Sequence, residues 1–395
     1  IKENLPVFHG LKVGIVGAGI GGLTAAIALQ KIGMTVIVYE QAEQLGEVGA
    51  GLTISKNAAR VFDSLGLGSQ LAALGKPCPH MGVVDHITGK VLVYEPLDKK
   101  ECQSGNVIAS RQVHRADLHD LLTAAIARPN NTIRLDHELL DITQDSTRVK
   151  LSFTKGQVDY CDIVIGADGL KSAVRELLYS AKPAKFTGFV AWRGLVERSL
   201  VQGLKLDPHF ATYSSSDKLF VRYPVRHGSL INYVGIARKN DFLSESWKAP
   251  AKVTEVAAEF SGWYQDAPNI ILATPKNSCM RWALYTREPL QDWIRGRVCL
   301  LGDAAHPLTP FFGMGAAMAI EDSLILARCF ESEKDNWQNA FKRYQRARLE
   351  RCNHMQHISL QRAESYMNND PARRAMGPSS GLGKAMDYDP RTAII

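Results

Sequence analysis

The chain has 395 residues, 45% of them hydrophobic and 22% charged, with a formal net charge of +7. That length and apolar content suit a soluble globular protein of two or three domains and exclude a disordered or low-complexity chain. The positive excess is mild and spread out; its densest cluster, Lys342–Arg351, alternates with apolar residues at helical spacing and reads as a solvated helix face instead of a nucleic-acid surface.

A mildly basic balance does suit an anionic substrate or a phosphate-bearing cofactor. Seven cysteines, at 78, 102, 161, 279, 299, 329 and 352, contain no CxxC pair and leave one over if paired, the pattern of reduced thiols in a cytoplasmic protein. Ile1–Gly10 carries no signal-peptide pattern, and its missing Met suggests a trimmed or partial start. The longest near-apolar run, Val298–Ile320, is broken by Asp303, His306 and two prolines, so it reads as a buried active-site segment and not as a membrane span.

Taken in order, the chain opens with a strand of branched residues, Leu11–Val16, followed without pause by Gly17-Ala18-Gly19-Ile20-Gly21-Gly22 and an Ala-rich helix, Leu23–Lys31. The next strand, Thr35–Tyr39, ends on Glu40. This is the dinucleotide fingerprint in its required context: Gly17 allows the tight turn, Gly19 lets a pyrophosphate approach, and Gly22 lets helix and strand pack closely. The helix start faces the phosphates, and Glu40 is placed to hold ribose hydroxyls. A second glycine-rich loop, Gly46–Gly51, precedes a helix at Asn57–Leu65; it is either a second cofactor contact or simply a flexible loop.

A helix carrying His114–Leu118 runs on to about Arg128, and Arg115 near its start pairs either with a phosphate or with Asp117 and solvent. Strands at Val149–Phe153 and Asp162–Gly166 lead into Asp168-Gly169 and a helix bearing Arg175. The run Ile163–Ile165 has the two-sided apolar character of a parallel strand. Beyond it, Phe186–Val196, Ala211–Ser215, Leu219–Pro224 and Leu230–Ile236 read as antiparallel strands, with turns at Ser214–Asp217 and Arg226–Gly228. Val253–Tyr264 is helical, Arg297–Leu301 returns to a buried parallel strand, and Asp335–Met367 is mostly helix. Past Asn368 the composition turns to Pro, Gly and Ser, and order becomes doubtful.

Three glycine-and-acid turns spread over so much chain exceed what a nicotinamide dehydrogenase needs. Gly17–Gly22 with Glu40, Asp168-Gly169 with Arg175, and Gly302-Asp303-Ala304-Ala305-His306-Pro307 resemble the three signatures of the single-component FAD-dependent aromatic hydroxylases, the p-hydroxybenzoate hydroxylase-like flavoprotein monooxygenases. The likeness runs from about Leu11 to Leu360. It is nearest to salicylate hydroxylases and 3-hydroxybenzoate 6-hydroxylases, through Gly46–Gly51, His114–Leu118, Ala191-Trp192-Arg193-Gly194 and Tyr285–Asp292 with Arg295-Gly296-Arg297.

The resemblance implies an α/β fold: a Rossmann-like FAD-binding domain in two parts, residues 1–180 and 286–335, an inserted antiparallel-sheet substrate domain at 181–285, and a C-terminal helix and tail at 336–395. It implies an enzyme using FAD, NADH or NADPH, and O2 to hydroxylate a small aromatic or heteroaromatic acid through a flavin C4a-hydroperoxide, as a monomer or homodimer with no nucleic-acid or membrane partner. The alternatives are a hydroxylase of a larger neutral ring and a flavin-binding protein without oxygenase activity. Cofactor contacts are expected from Gly17, Gly19, Gly22, Glu40, Gly51, Arg115, Asp168, Asp303, Gly313, Met314 and Gly315. Asp303 is placed to accept from ribityl hydroxyls or to cap a local turn, and the helix start at Gly313–Gly315 suits the negative edge of a reduced flavin.

His306 and Pro307 fall next to the expected ring, where a histidine is a base or a positioning group. On the strand Lys218–Tyr223, alternation puts Lys218, Phe220 and Arg222 on one face and Leu219, Val221 and Tyr223 on the other. If the first face meets the flavin, Arg222 clamps a carboxylate with Lys218 assisting; if the second does, Tyr223 exchanges a hydrogen bond with a phenol. Related enzymes place a histidine in this strand, and this chain has none between His209 and His227. Phe312 supplies an apolar wall or core packing.

Overall fold

A computed structural model describes residues 10–46, 49–96, 106–179, 182–239, 249–334, 336–374 and 382–395. Ile1–His9, Glu47 and Val48 of the second glycine loop, Cys102 and Asp335 lie outside the described residues. The six other cysteines are free and buried.

The branched runs Lys12–Val16 (β1) and Thr35–Tyr39 (β2) enclose helix Ile20–Lys31 (α1) and pair in parallel, Val13 against Val36 and Ile15 against Val38. Gly51–Ile54 (β3) leads through helix Lys56–Ser64 (α2) and the hairpin strands His80–Asp85 (β4) and Val91–Pro96 (β5) to Arg111–His114 (β6). That last strand returns to pair antiparallel with β3, and helix Arg115–Ala125 (α3) follows at once. Ile163–Gly166 (β7), buried at every residue, precedes the short helix Ala173–Leu178 (α4). The middle of the chain contributes Lys185–Glu197 (β8), Phe210–Ser214 (β9), Lys218–Val225 (β10), Leu230–Arg238 (β11) and Met280–Thr286 (β12). Val298–Leu300 (β13) then feeds helix Gly315–Glu333 (α5) and the thirty-residue helix Trp337–Tyr366 (α6).

These strands form two principal sheets. One has the order Ile294–Arg295, β13, β7, β1, β2, Ile133–Arg134, parallel except at its first pair. Its apolar strands lie in the main core with α1 and α5, which approach so closely that a Cβ on Gly21 would sit 3.1 Å from Ala319 Cβ. The other face of the strands is covered by a small antiparallel sheet of Leu139–Gln144, Val149–Phe153 and Val158–Cys161: a Cβ on Gly14 would lie 2.7 Å from Cys161 Sγ, and the rings of Tyr39 and Phe153 are 5.0 Å apart, so the parallel strands are buried on both sides.

The other sheet has eight strands in the order Ala249–Pro250, β12, β8, β11, β10, β9, β4, β5, all antiparallel except β9 beside β4. It draws β4 and β5 from the first part of the chain, two strands that the pattern of the sequence leaves unassigned. Its alternation sends Trp192, Tyr213, Phe220 and Tyr233 into a core closed by helices Val253–Glu259 and Asp266–Leu272. The opposite face, with Leu219, Val221 and Val234, looks toward the first sheet across a cavity. The α/β fold with an antiparallel-sheet layer and C-terminal helices is the architecture the resemblance implies.

Past Asn368 the expected loss of order does not hold throughout: Pro371–Arg374 and Leu382–Asp387 are helical, while residues 375–381 lie outside the described residues. Among the described residues no helix is long and apolar enough to cross a membrane.

Candidate active site

A cavity of about 500 Å³ separates the two sheets, and three sets of residues wall it. The first is the glycine turn. Gly17 has φ +105°, and a Cβ there would lie 2.5 Å from Ala167 O; a Cβ on Gly22 would lie 2.0 Å from Gly17 O. Gly19 meets nothing within 4 Å and lines the cavity. Two of these glycines are therefore demanded by the protein's own packing, and the third leaves space at the start of α1, where unsatisfied N–H groups collect. Glu40 binds this turn to the end of β2, accepting the N–H of Ala18 at 2.8 Å and of Ala42 at 2.9 Å.

The second wall is built from Leu301–Asp303 and Leu308–Ala316. Gly302, with φ +63°, starts a tight turn that presents Asp303 to the cavity. Enclosure by protein pushes the Asp303 carboxyl above its usual range, against the pull of His306 and Arg115. The turn is held from behind by Arg175, whose guanidinium donates to Ala304 O and Ala305 O at 3.1 Å each; burial lowers its pKa to about 10. Gly313 takes a left-handed conformation, φ +61°, and lets the chain enter α5 at Gly315. Gly313, Met314, Gly315 and Ala316 all line the cavity, so the positive end of a nineteen-residue helix faces it.

The third wall is the face of the eight-stranded sheet. Tyr223 on β10 pairs with Asn232 on β11, and the Tyr223 ring stacks on Phe210 at 5.1 Å with planes 5° apart. Burial raises the Tyr223 phenol while Arg193 draws it down. The Arg193 guanidinium lies 4.9 Å from the centre of the Trp282 ring. Across this face runs β3: Gly51 N–H donates to Asn232 Oδ1 at 2.6 Å, and a Cβ on Gly51 would lie 2.5 Å from Tyr223 Cε2. The glycine is what allows that close approach. Beside it Gln112, 2% exposed, lines the cavity with both side-chain polar atoms lacking a hydrogen-bond partner among the described residues.

Several expected site residues take other places. His306 and Pro307 do not line the cavity. His306 is 1% exposed, and its Nε2 lies 2.6 Å from Asp322 Oδ2, which also accepts Gly302 N–H at 3.1 Å. Asp322 takes Arg348 Nε at 2.7 Å on its other oxygen. A buried carboxylate needs paired donors, and this one, on α5, draws the imidazole into the core. His306 thus faces Asp322 in the core and not the cavity.

Arg222 and Lys218 are likewise turned away. Arg222, 1% exposed, donates to Pro208 O at 2.7 Å, to Tyr213 Oη at 3.1 Å and to Asp266 Oδ2 at 3.3 Å, and Lys218 Nζ donates to Glu259 O at 2.7 Å. Both belong to the alternation face that packs on the covering helices, so neither clamps a ligand in this cavity. Leu219, Val221 and Tyr223 are the face that meets it, together with Phe312 from the opposite wall. Arg115 lines the cavity, while Asp117 receives Arg226 at 2.6 and 2.9 Å. Asp168 caps α4, accepting Ser172 Oγ at 2.5 Å and Val174 N–H at 3.1 Å; its neighbours Ala167, Gly169 and Leu170 line the cavity in its stead.

Arg193, Trp282, Asn232 and Gln112 were not picked out as site residues by pattern. Asn232, a polar residue inside the apolar strand Leu230–Ile236, and Arg193, within the motif Ala191–Gly194, left a signal.

The residues present fit an FAD. Gly19 leaves a phosphate cradle open, Asp303 aims a carboxylate into mid-cavity, Gln112 carries an unpartnered amide, and the α5 start offers N–H groups to a negative ring edge. A dinucleotide turn, a second acidic turn and a helix start around one cavity define a flavin-dependent oxidoreductase.

Comparison with known proteins places it more closely. The "FAD binding domain" family matches residues 10–357, and the chain belongs to that family as a flavoprotein monooxygenase. It is similar to 6-hydroxynicotinate 3-monooxygenase of Bordetella bronchiseptica, 34% identical over 91% of this chain and 93% of that one. It is also similar to 3-hydroxybenzoate 6-hydroxylase 1 of Aquipseudomonas alcaligenes, 33% identical over 87% and 86%. Among solved structures, a salicylate hydroxylase substrate complex superposes with a TM-score of 0.78 at 26% identity, covering 96% of each chain.

Proposed function

We propose that this monooxygenase hydroxylates a small aromatic or heteroaromatic acid of the hydroxybenzoate or hydroxynicotinate kind, consuming NADH or NADPH and O2. The observation that carries the reading is one cavity walled on one side by Asp303 and Gly313–Gly315 and on the other by Tyr223, Asn232 and Arg193. The three relatives named above act, by their names, on such acids.

Bound FAD would supply the redox chemistry by which NADH or NADPH and O2 give one oxygen atom to the ring and one to water. The chain's own residues do the rest. Gly19 would leave room for the pyrophosphate at α1, in a turn shaped by Gly17 and Gly22 and held by Glu40, and Asp303 would accept from ribityl hydroxyls. Met314 and its flanking glycines present N–H groups to the ring edge, with Arg115 and the Gly51 backbone completing the cofactor side. Tyr223 exchanges a hydrogen bond with a ring hydroxyl, and Phe312 with Val221 and Leu219 keeps water from the reacting face.

The test is direct. The yellow holoenzyme is assayed for NADH and NADPH oxidation with a panel of hydroxybenzoates and hydroxypyridine carboxylates, and products are weighed by mass spectrometry. At least one acid is expected to accelerate oxidation and to gain one oxygen atom. A rate that stays flat across the panel while flavin remains bound overturns the proposal.

A further inference from the structure

Among the described residues lining the cavity, the cationic side chains are Arg115 and Arg193 and the one acid is Asp303. Arg115 acts electrostatically on Asp303, at the cofactor wall. Arg193 stands on the sheet wall with its guanidinium over the Trp282 ring, and its planar fork has the geometry to pair with a carboxylate.

Asn232 supplies the second point. It is 1% exposed, and because its Oδ1 accepts the Gly51 N–H, the opposite end of the amide is the donor. That donor, Nδ2, has no hydrogen-bond partner among the described residues. A buried donor left unpaired is costly, and its place in the wall of a ligand cavity points to an acceptor on the ligand.

The sheet register sets the two points apart. Asn232 pairs with Leu195, and Arg193 lies two residues before Leu195 on the same face of β8. Two residues of strand span about 6.7 Å, roughly the length of one substituted ring. Tyr223, opposite Asn232 on β10, flanks the same end.

We propose that Arg193 and Asn232 form a two-point reader for the substrate: Arg193 takes the carboxylate and Asn232 Nδ2 donates to the ring oxygen. The proposal rests on the aromatic-acid reading above and assigns its specificity to two residues. An amide cannot accept the ring proton, so Asn232 favours the ionised oxygen without acting as a base.

Three ligands are titrated into the holoenzyme, with binding followed through perturbation of the flavin absorbance: the tightest of 2-, 3- and 4-hydroxybenzoate, plus benzoate and phenol as its matched deletions. In Arg193→Met, Kd for both carboxylates is expected to rise at least about tenfold, with phenol unchanged within about twofold. In Asn232→Ala, Kd for the hydroxybenzoate is expected to rise at least about threefold toward that of benzoate, whose own value holds while Tyr223 keeps its share of the hydroxyl, and the apparent pKa of the bound phenol, read from phenolate absorbance, rises by about one unit or more. Variants that weaken all three ligands alike, or that leave the hydroxyl preference and the bound-phenol pKa untouched, overturn the reader while the aromatic-acid reading stands. Should either variant lose FAD or melt early, Arg193→Gln is judged by the same criteria, and Asn232→Asp, which keeps the acceptor for Gly51 but adds a charge, is judged by the rise in the bound-phenol pKa alone. Failure of every hydroxybenzoate and hydroxypyridine carboxylate to perturb the unmodified holoenzyme overturns both.

Discussion

Asp303 and His306 stand three residues apart on one loop and serve opposite sides of it. Asp303 faces the cavity, and its replacement by Ala is expected to raise the FAD Kd about 10–100-fold, since a hydrogen bond to a charged group contributes about 1.5–3 kcal/mol. Fluorescence titration of the apoprotein checks this, and a variant that purifies with full FAD would count against the ribityl role.

His306 instead belongs to the buried set with Asp322 and Arg348. Burial favours the neutral form of each group. For Asp322, the nearby charges of His306 and Arg348 outweigh it and hold the carboxyl below its usual range, while Cys352 and Asp322 hold the His306 imidazole well above its own. A depressed carboxyl stabilises the native state above its unfolded value, about 3.9, and that share is lost as pH falls through the depressed value. A raised imidazole does the reverse: its share is complete below about 6.5 and fades as pH climbs toward the raised value. The His306→Asn variant, which breaks a buried pair, is expected to lose about 3–5 kcal/mol of stability. Its deficit against the wild type should be largest between about pH 4 and 6.5 and shrink on either side. Denaturant unfolding across that range checks the shape, and a deficit constant from pH 3 to 9 would remove the ion pair from the account.

At the scale of elements, β10 shows how one strand divides its duties. Its inward face is locked to helix Asp266–Leu272 by Arg222 and Asp266, side chains 1% and 2% exposed, and its outward face carries Val221 and Tyr223 to the cavity. Arg222→Met is therefore expected to cost about 3–5 kcal/mol of stability and to change the Kd values of a carboxylated substrate and its decarboxylated analogue equally. The paired change Arg222→Met with Asp266→Leu should recover most of the loss, because no buried charge is then left alone. A selective loss of carboxylate binding would restore Arg222 as a clamp. Alternation made the two faces of this strand legible from sequence, yet not which face was covered, because a period of two sorts residues into sets without naming the neighbour of either set. The glycine turn before α1 was legible where its demands are local, as in the positive φ of Gly17 and the approach of Gly22 to Gly17 O; the clash that a Cβ on Gly17 would make with Ala167 O joins strands far apart in sequence.

The whole molecule is organised by a cavity that neither sheet closes alone. β4 and β5 leave the first part of the chain to extend the second sheet, and β3, hydrogen-bonded to Asn232 by Gly51, ties the cofactor side to the substrate side. FAD lying along that seam should stabilise both sheets together. Removing it is expected to lower the melting temperature in a single transition, and saturation at a hundredfold excess over Kd should restore about 2.7 kcal/mol. Scanning calorimetry of apo and reloaded protein reads this; two transitions, of which only one responds to FAD, would separate the sheets energetically.

Consecutive residues carried the rest of what could be read without coordinates. The dinucleotide turn, the Gly302-Asp303 turn and the helix start at Gly315 each state a backbone requirement within a few positions, and together they were enough for the fold and the flavin. The convergence of Arg193, Asn232, Trp282 and Gln112 was decided only by tertiary structure, as was the withdrawal of His306 to Asp322 and of Arg222 to Asp266. Those partners are distant in sequence, and what brings them together is burial: a charge in the core must find its counterpart, and a polar group facing a cavity must wait for a ligand.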